Sequence, residues 1–194
     1  MKKYIFLGLC LVLSVLSQAQ NLPQTVNRAL DLYEKKDYEK AIPALEKAIT
    51  LLDKAYSDTN SDCLNFKYLL ATCYRITGQY EKAERQYLKV IALQEKVLGL
   101  FHPDLIQSMD ELASVYVSKE NYEKAETLFL RVIKLRDIKG KDKAYIFCIS
   151  SLGKMYISMA KYEKAEPLLV EAKELREKEL GEKHPSVAVS LCDL

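Results

Sequence analysis

The chain lacks most of the features by which catalytic and nucleic-acid-binding proteins are recognised. It has two histidines, no glycine-rich phosphate loop and no H-E-x-x-H pair. No tract of basic residues marks a nucleic-acid surface. These absences predict a protein with no catalytic residues, no metal ligands, no cofactor and no nucleic acid among its partners.

A long hydrophobic run is also missing. The longest, Tyr4 to Leu16, has thirteen residues, whereas a membrane span needs about 20. It follows two lysines and precedes small residues at the spacing that signal peptidase reads, which predicts a signal peptide cleaved after Ala19. We therefore expect an exported protein, periplasmic or secreted, with no membrane span in the mature chain. Without residues 1–19 the chain has 27 basic and 27 acidic residues and no net charge.

No C-x-x-C pair occurs among the cysteines that follow the predicted signal peptide. Their spacing is irregular, and each falls in a predicted first helix of a repeat, where a small buried side chain is expected. A disulfide in an oxidising compartment is the alternative. The four cysteines are Cys63, Cys73, Cys148 and Cys192.

One phrase, Tyr-Glu-Lys-Ala, occurs four times, beginning at Tyr38, Tyr80, Tyr122 and Tyr162. The intervals of 42, 42 and 40 residues predict a stack of similar supersecondary units. Apolar residues at three- and four-residue intervals predict two helices in each unit. We expect the tyrosine and alanine of each phrase to hold the two helices together and its glutamate and lysine to face water.

A small residue is predicted midway along each first helix, where it lets two helix axes approach closely. These residues are Ala29, Ala71, Ala113 and Gly153. The predicted repeats cover residues 24–61, 62–103, 104–143 and 144–184, with an incomplete first helix of a fifth repeat over 185–194.

The phrases and small residues resemble the tetratricopeptide repeat (TPR), and the long period resembles the kinesin-light-chain-like kind in exported bacterial proteins. The match covers residues 24 to 194, and its most specific element is the stretch 97–104, echoed by 179–186. The resemblance implies an all-α fold, a right-handed α-solenoid of TPR helix-turn-helix repeats.

The resemblance also implies a concave groove lined mainly by the first helices. The asparagines with which the family often holds a peptide are absent from the equivalent positions here. A peptide groove in this chain would present a mixed polar set, and the alternative is that these positions are merely solvated. The set is Asn27, Tyr68, Thr72, Arg75, Asp110, Ser114, Ser150 and Lys154.

The sequence therefore predicts a non-catalytic protein-protein interaction scaffold whose partner is a protein or peptide of unknown identity. The fifth repeat stops halfway along its first helix, which indicates either a shortened member of a longer array or an uncapped end that self-associates. The alternative function is a truncated regulatory arm of a larger protein with a caspase-like (CHAT-type) protease domain.

Overall fold

The computed structural model describes residues 22–56 and 59–181, together with residues 184, 185 and 187. The predicted signal peptide, Cys192 and most of the predicted fifth repeat lie outside the described residues. The side chain of residue 139 is also outside them.

The described residues form eight α-helices and no strand. The helices are α1 (22–34), α2 (Tyr38–Ala55), α3 (Ser61–Ile76), α4 (Tyr80–Leu98), α5 (Pro103–Ser118), α6 (Tyr122–Lys139), α7 (Lys143–Ser158) and α8 (Tyr162–Leu180). The chain divides into a first unit up to Val97, which holds α1 to α4, and a second unit from Leu98, which holds α5 to α8. The division into repeats remains a prediction.

Side chains that accept backbone hydrogen bonds begin several helices. Asn60 Oδ1 accepts from the Asp62 amide at 2.8 Å, and Asp142 Oδ1 accepts from the Tyr145 amide at 2.8 Å. His102 precedes Pro103 at the start of α5, and its Nδ1 accepts from the Asp104 amide at 3.3 Å. Because each cap satisfies an amide that has no partner within the helix, these residues set where the helices begin.

The turn between the two helices of each repeat passes through a left-handed backbone conformation. In the second repeat this residue is Gly78, with a φ of +74°. The other three repeats use Lys36, Glu120 and Ala160 at the same position, with φ of 60°, 57° and 56°. A side chain is strained in this region, so the turn geometry is kept in these repeats at a cost that glycine avoids.

The predicted close approach of the helices is confirmed by burial of the small residues. Ala29, Ala71 and Ala113 have no exposed surface, and Gly153 is also buried. A Cβ added to Gly153 would lie 2.8 Å from both Cγ and Cδ2 of Leu169, closer than carbon atoms approach in proteins. In this repeat, therefore, the crossing of α7 and α8 has no room for a methyl group.

The repeated phrase behaves differently from the prediction in two of its four residues. Its alanine is buried in every repeat, as expected, with 2% exposure or less. Its tyrosine is partly buried in the first three repeats and 65% exposed in the fourth, at Tyr162. The tyrosine that is buried precedes the phrase by six residues, and examples are Tyr74 and Tyr156, each 5% exposed.

The lysine of the phrase packs on that buried tyrosine instead of only facing water. The ammonium of Lys82 lies 5.2 Å from the centre of the Tyr74 ring, and that of Lys164 lies 5.2 Å from the centre of the Tyr156 ring. Such cation–π contacts contribute about 0.5–1 kcal/mol at exposed sites. The first repeat departs from this, because Lys40 pairs with Asp37 at 2.7 Å.

The second unit has a core in which α7 contacts the helices on both sides. Tyr145, Ile146 and Ile149 of α7 are buried together with Ala172 of α8. Ile133 of α6 packs on the same cluster, so three successive helices share it. This packing positions the polar residues of α5, α6 and α7 described below.

Candidate protein-binding surface

In the first unit, the four predicted groove residues differ in exposure. Asn27 is exposed on α1, Tyr68 and Arg75 are partly exposed on α3, and Thr72 is buried. The Thr72 hydroxyl lies 2.9 Å from the Tyr87 hydroxyl of α4, and the Tyr68 ring meets the Tyr87 ring edge-on. Thr72 therefore joins α3 to α4 and offers little surface to a partner.

In the second unit, only two of the four predicted residues are accessible. Lys154 is exposed and Ser114 is partly exposed, whereas Asp110 and Ser150 are buried at 8% and 4% exposure. Ser114 Oγ donates to the Asp110 carbonyl at 3.1 Å, as serines in helices often do. Asp110 and Ser150 each contact the second helix of their own repeat.

Two arginines that the sequence analysis did not select hold these buried polar groups. Arg136 Nη2 of α6 donates to Asp110 Oδ2 of α5 at 3.2 Å. Arg176 Nη2 of α8 donates to Ser150 Oγ of α7 at 2.8 Å. Each arginine follows its partner by 26 residues, so the two pairs occupy equivalent positions in consecutive repeats.

The signal that could have revealed them lies in the register of the repeated phrase. Arg136 and Arg176 both stand fourteen residues after the phrase tyrosine, on a helical face that is otherwise apolar. The same position is Gln94 in the second repeat and Leu52 in the first, and these are 3% and 4% exposed. A buried polar side chain calls for a polar partner, which Asp110 and Ser150 supply to the two arginines, whereas Gln94 Oε1 has none among the described residues.

Asp110 lies in an unusual electrostatic environment. Its Oδ1 is buried and accepts no hydrogen bond from the described residues, while Oδ2 bonds to Arg136. Burial raises the pKa of Asp110 to about 6, and the nearby Cys148 thiol and Arg136 guanidinium lower it only in part. Burial also raises the pKa of the Cys148 thiol, with the Asp110 charge as a further cause, so this cysteine stays protonated.

A cavity of about 410 Å³ opens beside this ion pair, entirely within the second unit. Its walls combine carboxylates with apolar groups, and Phe147 of α7 is 59% exposed there. The volume is in the range typical of sites that bind small molecules or side chains. The lining residues are Pro103, Gln107, Asp110, Glu111, Arg136, Asp142, Ala144 and Phe147.

The cysteines and acids of the described part of the chain do not form a metal centre. No group of three or more histidine, cysteine, aspartate or glutamate residues is arranged to hold an ion among residues 22–56 and 59–181. Cys63, Cys73 and Cys148 are buried and not in disulfides, which confirms the expectation of small buried side chains. No helix in these ranges has the length and hydrophobicity required to cross a membrane.

Comparison with known proteins defines the class of this fold. A structure from Podosopora anserina with nearly identical TPR-like repeats of the kinesin light chain type superposes with a TM-score of 0.77. It is 23% identical, with 90% of this chain and 83% of that chain covered. The all-α fold is thus the right-handed α-solenoid of TPR helix-turn-helix repeats.

Two further structures agree. BtubC from P. vanneervenii superposes with a TM-score of 0.73 at 20% identity, with 81% of this chain and 63% of that chain covered. A tetratricopeptide repeat protein from Parabacteroides merdae superposes with a TM-score of 0.64 at 18% identity, with 90% of this chain and 59% of that chain covered. No curated protein matches the chain significantly.

Family models described as tetratricopeptide repeat match residues 19–96, 62–137 and 148–186. These matches span more than half of the chain, which therefore belongs to the tetratricopeptide repeat family. Its structural neighbours are of the kinesin-light-chain-like kind. Membership indicates a protein-protein interaction module.

Proposed function

We propose that this protein is a non-catalytic scaffold that binds a protein partner through exposed polar residues of its first helices. The observation that carries the proposal is family membership over most of the chain, since tetratricopeptide repeats serve protein-protein interaction. The exposed members of the predicted groove set, Asn27 and Lys154, extend the proposal to specific residues.

Site-specific photo-crosslinking in the cells that produce the protein tests this function. A photoreactive residue at Asn27 or at Lys154 should form a covalent adduct with a partner. The matched controls are Lys89 and Glu166, which are also exposed but stand on second helices. Adducts from the control positions alone would exclude the first-helix face, and the absence of any adduct would contradict the scaffold function.

We further propose that the scaffold is exported across the inner membrane and acts in the periplasm or outside the cell. The support is the pattern of residues 1–19, with two lysines, an apolar run and Ala19 at the predicted cleavage site. Mass spectrometry of the fractionated cell should find a chain that begins at residue 20 in the exported fraction. A full-length chain confined to the cytoplasm would contradict export.

A further inference from the structure

The cavity beside Asp110 has an excess of negative charge. Among the described residues, its walls contain the carboxylates of Asp110, Glu111 and Asp142 and one cation, Arg136. The Arg136 side chain is only 11% exposed and already lies 3.2 Å from Asp110 and 3.6 Å from Asp142. An incoming anion would meet three carboxylates and an arginine already engaged by two of them, so charge complementarity favours a cation.

One buried oxygen beside this cavity has no hydrogen-bond donor within the described part of the chain. Asp110 is only 8% exposed, and its Oδ1 accepts no hydrogen bond from the described residues. A buried polar atom without a partner is costly. Because Oδ1 has almost no accessible surface, an ammonium or guanidinium group in the cavity would act on the charge of the Asp110 carboxylate without bonding to Oδ1.

An exposed aromatic ring completes the surroundings. Phe147 lines the cavity, and its side chain is 59% exposed. Among the described residues, no cation lies over the Phe147 ring. The face of an aromatic ring attracts a positive charge, especially where water is partly excluded.

The same chain already holds lysines between a ring and a carboxylate. The Lys141 ammonium lies 5.4 Å from the centre of the Tyr145 ring and 2.6 Å from Glu171. The Lys164 ammonium lies 5.2 Å from the centre of the Tyr156 ring and 3.3 Å from Glu126. The cavity offers these two kinds of group together, and none of its described lining residues is a lysine.

We infer that the cavity lined by Asp110, Glu111, Asp142 and Phe147 binds a lysine or arginine side chain presented by a segment of the partner protein. The inference rests on the proposed scaffold function and names the chemistry of the partner. The cationic end of the side chain meets the carboxylates, and its aliphatic part packs on Phe147 and Pro103.

Short peptides of the form acetyl-Gly-Ser-Xaa-Ser-Gly-amide, with lysine, arginine, norleucine or glutamate as Xaa, are the probes. Binding to the full chain is followed by amide chemical shifts in NMR spectra. The lysine and arginine peptides should shift the amide signals around residues 107–111 and 142–147. Added salt should weaken the binding of these peptides because it screens the attraction. The norleucine and glutamate peptides should leave these amides unchanged.

Variants then separate the contribution of the Phe147 ring to peptide binding from that of the carboxylates. Phe147→Leu and Asp142→Asn should each weaken binding of the lysine peptide by about two- to fivefold. Asparagine keeps the helix cap at position 142, so the α7 start is preserved. The matched controls, Phe101→Leu and Glu123→Gln, change exposed residues that do not line the cavity and should leave binding unchanged.

Equal shifts from the norleucine peptide, or unchanged binding in both cavity variants, would overturn the inference. Preferential binding of the glutamate peptide would do so as well. The result is separable from that for the scaffold function. If Lys154 crosslinks a partner equally well in wild type and in Asp142→Asn while the peptides do not bind, the scaffold stands and the cavity does not receive a basic side chain.

Discussion

A methyl group added at Gly153 is the sharpest test of the helix packing. In the variant Gly153→Ala the new Cβ would lie 2.8 Å from Cγ and Cδ2 of Leu169, whereas unstrained carbon contacts are about 3.5–4.0 Å. Leu169 is 3% exposed, so its side chain has no open space into which to rotate. We therefore expect the variant to be strained at the α7–α8 crossing.

Two opposing effects set the magnitude. Alanine is favoured over glycine within a helix by about 1 kcal/mol. Overpacking a tight core contact costs about 1–3 kcal/mol. The free energy of unfolding of Gly153→Ala should therefore fall by up to about 2 kcal/mol, which corresponds to a melting temperature lower by roughly 4–8 °C for a chain of this size.

A second substitution separates the two effects. Leu169→Ala removes the atoms that the new Cβ would meet, at a cost of about 2–5 kcal/mol on its own. In that background Gly153→Ala should raise the free energy of unfolding by about 1 kcal/mol, because only the helix preference remains. Urea unfolding followed by circular dichroism of the two single variants and the double variant measures the coupling between them.

Ala113→Gly provides the control at the equivalent position of the preceding repeat. Ala113 is fully buried and its methyl group is accommodated, so its removal should lower stability by roughly 1–2 kcal/mol through lost helix preference and lost burial. The packing argument is refuted if Gly153→Ala stabilises the chain by the same amount with Leu169 present as with Leu169→Ala.

Two further predictions concern the turns and the buried carboxylate. Ala160→Gly should raise the free energy of unfolding by about 1 kcal/mol, because a φ of +56° strains a side chain. Thermal unfolding measures this, and the opposite change, Gly78→Ala, should be destabilised in the same assay. The Asp110 pKa is raised from 3.8 to about 6 in the folded chain, so its contribution to stability is greatest below pH 4 and is lost as pH rises through 6. The advantage of wild type over Asp110→Asn in free energy of unfolding should therefore be larger at pH 4 than at pH 7, by on the order of 2–3 kcal/mol. Urea unfolding of both proteins at both pH values measures this change. A difference that does not change with pH would show that Asp110 titrates normally.

Much of the fold could be predicted because each repeat specifies its own local structure. The alanine of the repeated phrase, the small residue of each first helix and the cap at His102 all depend on neighbours within one pair of helices. Such short-range requirements recur at a fixed period, so they are visible in the sequence. The prediction for the phrase tyrosine is wrong in the fourth repeat, where Tyr162 is 65% exposed, because periodicity identifies a helical face but not how deeply that face is buried.

The candidate site could be predicted only in part. Selecting polar residues of the first helices found Asp110 and Ser150, but not that Arg136 and Arg176 hold them from the second helices. The exposure of Phe147 was not predicted either, because the sequence of one helix does not show which of its apolar residues the neighbouring helices cover. Both depend on contacts between helices that the sequence pattern of a single helix does not specify.

The sequence by itself determined the repeat, its register and the family, because the period and the small residues follow from how one helix must pack on the next. Only the tertiary structure decided which polar residues are satisfied within the protein and which remain for a partner. The physical reason is that hydrogen bonding and burial of a side chain depend on atoms brought together by several helices. The pairing of Asp110 Oδ2 with Arg136, beside an Oδ1 that accepts nothing from the described chain, follows from that arrangement.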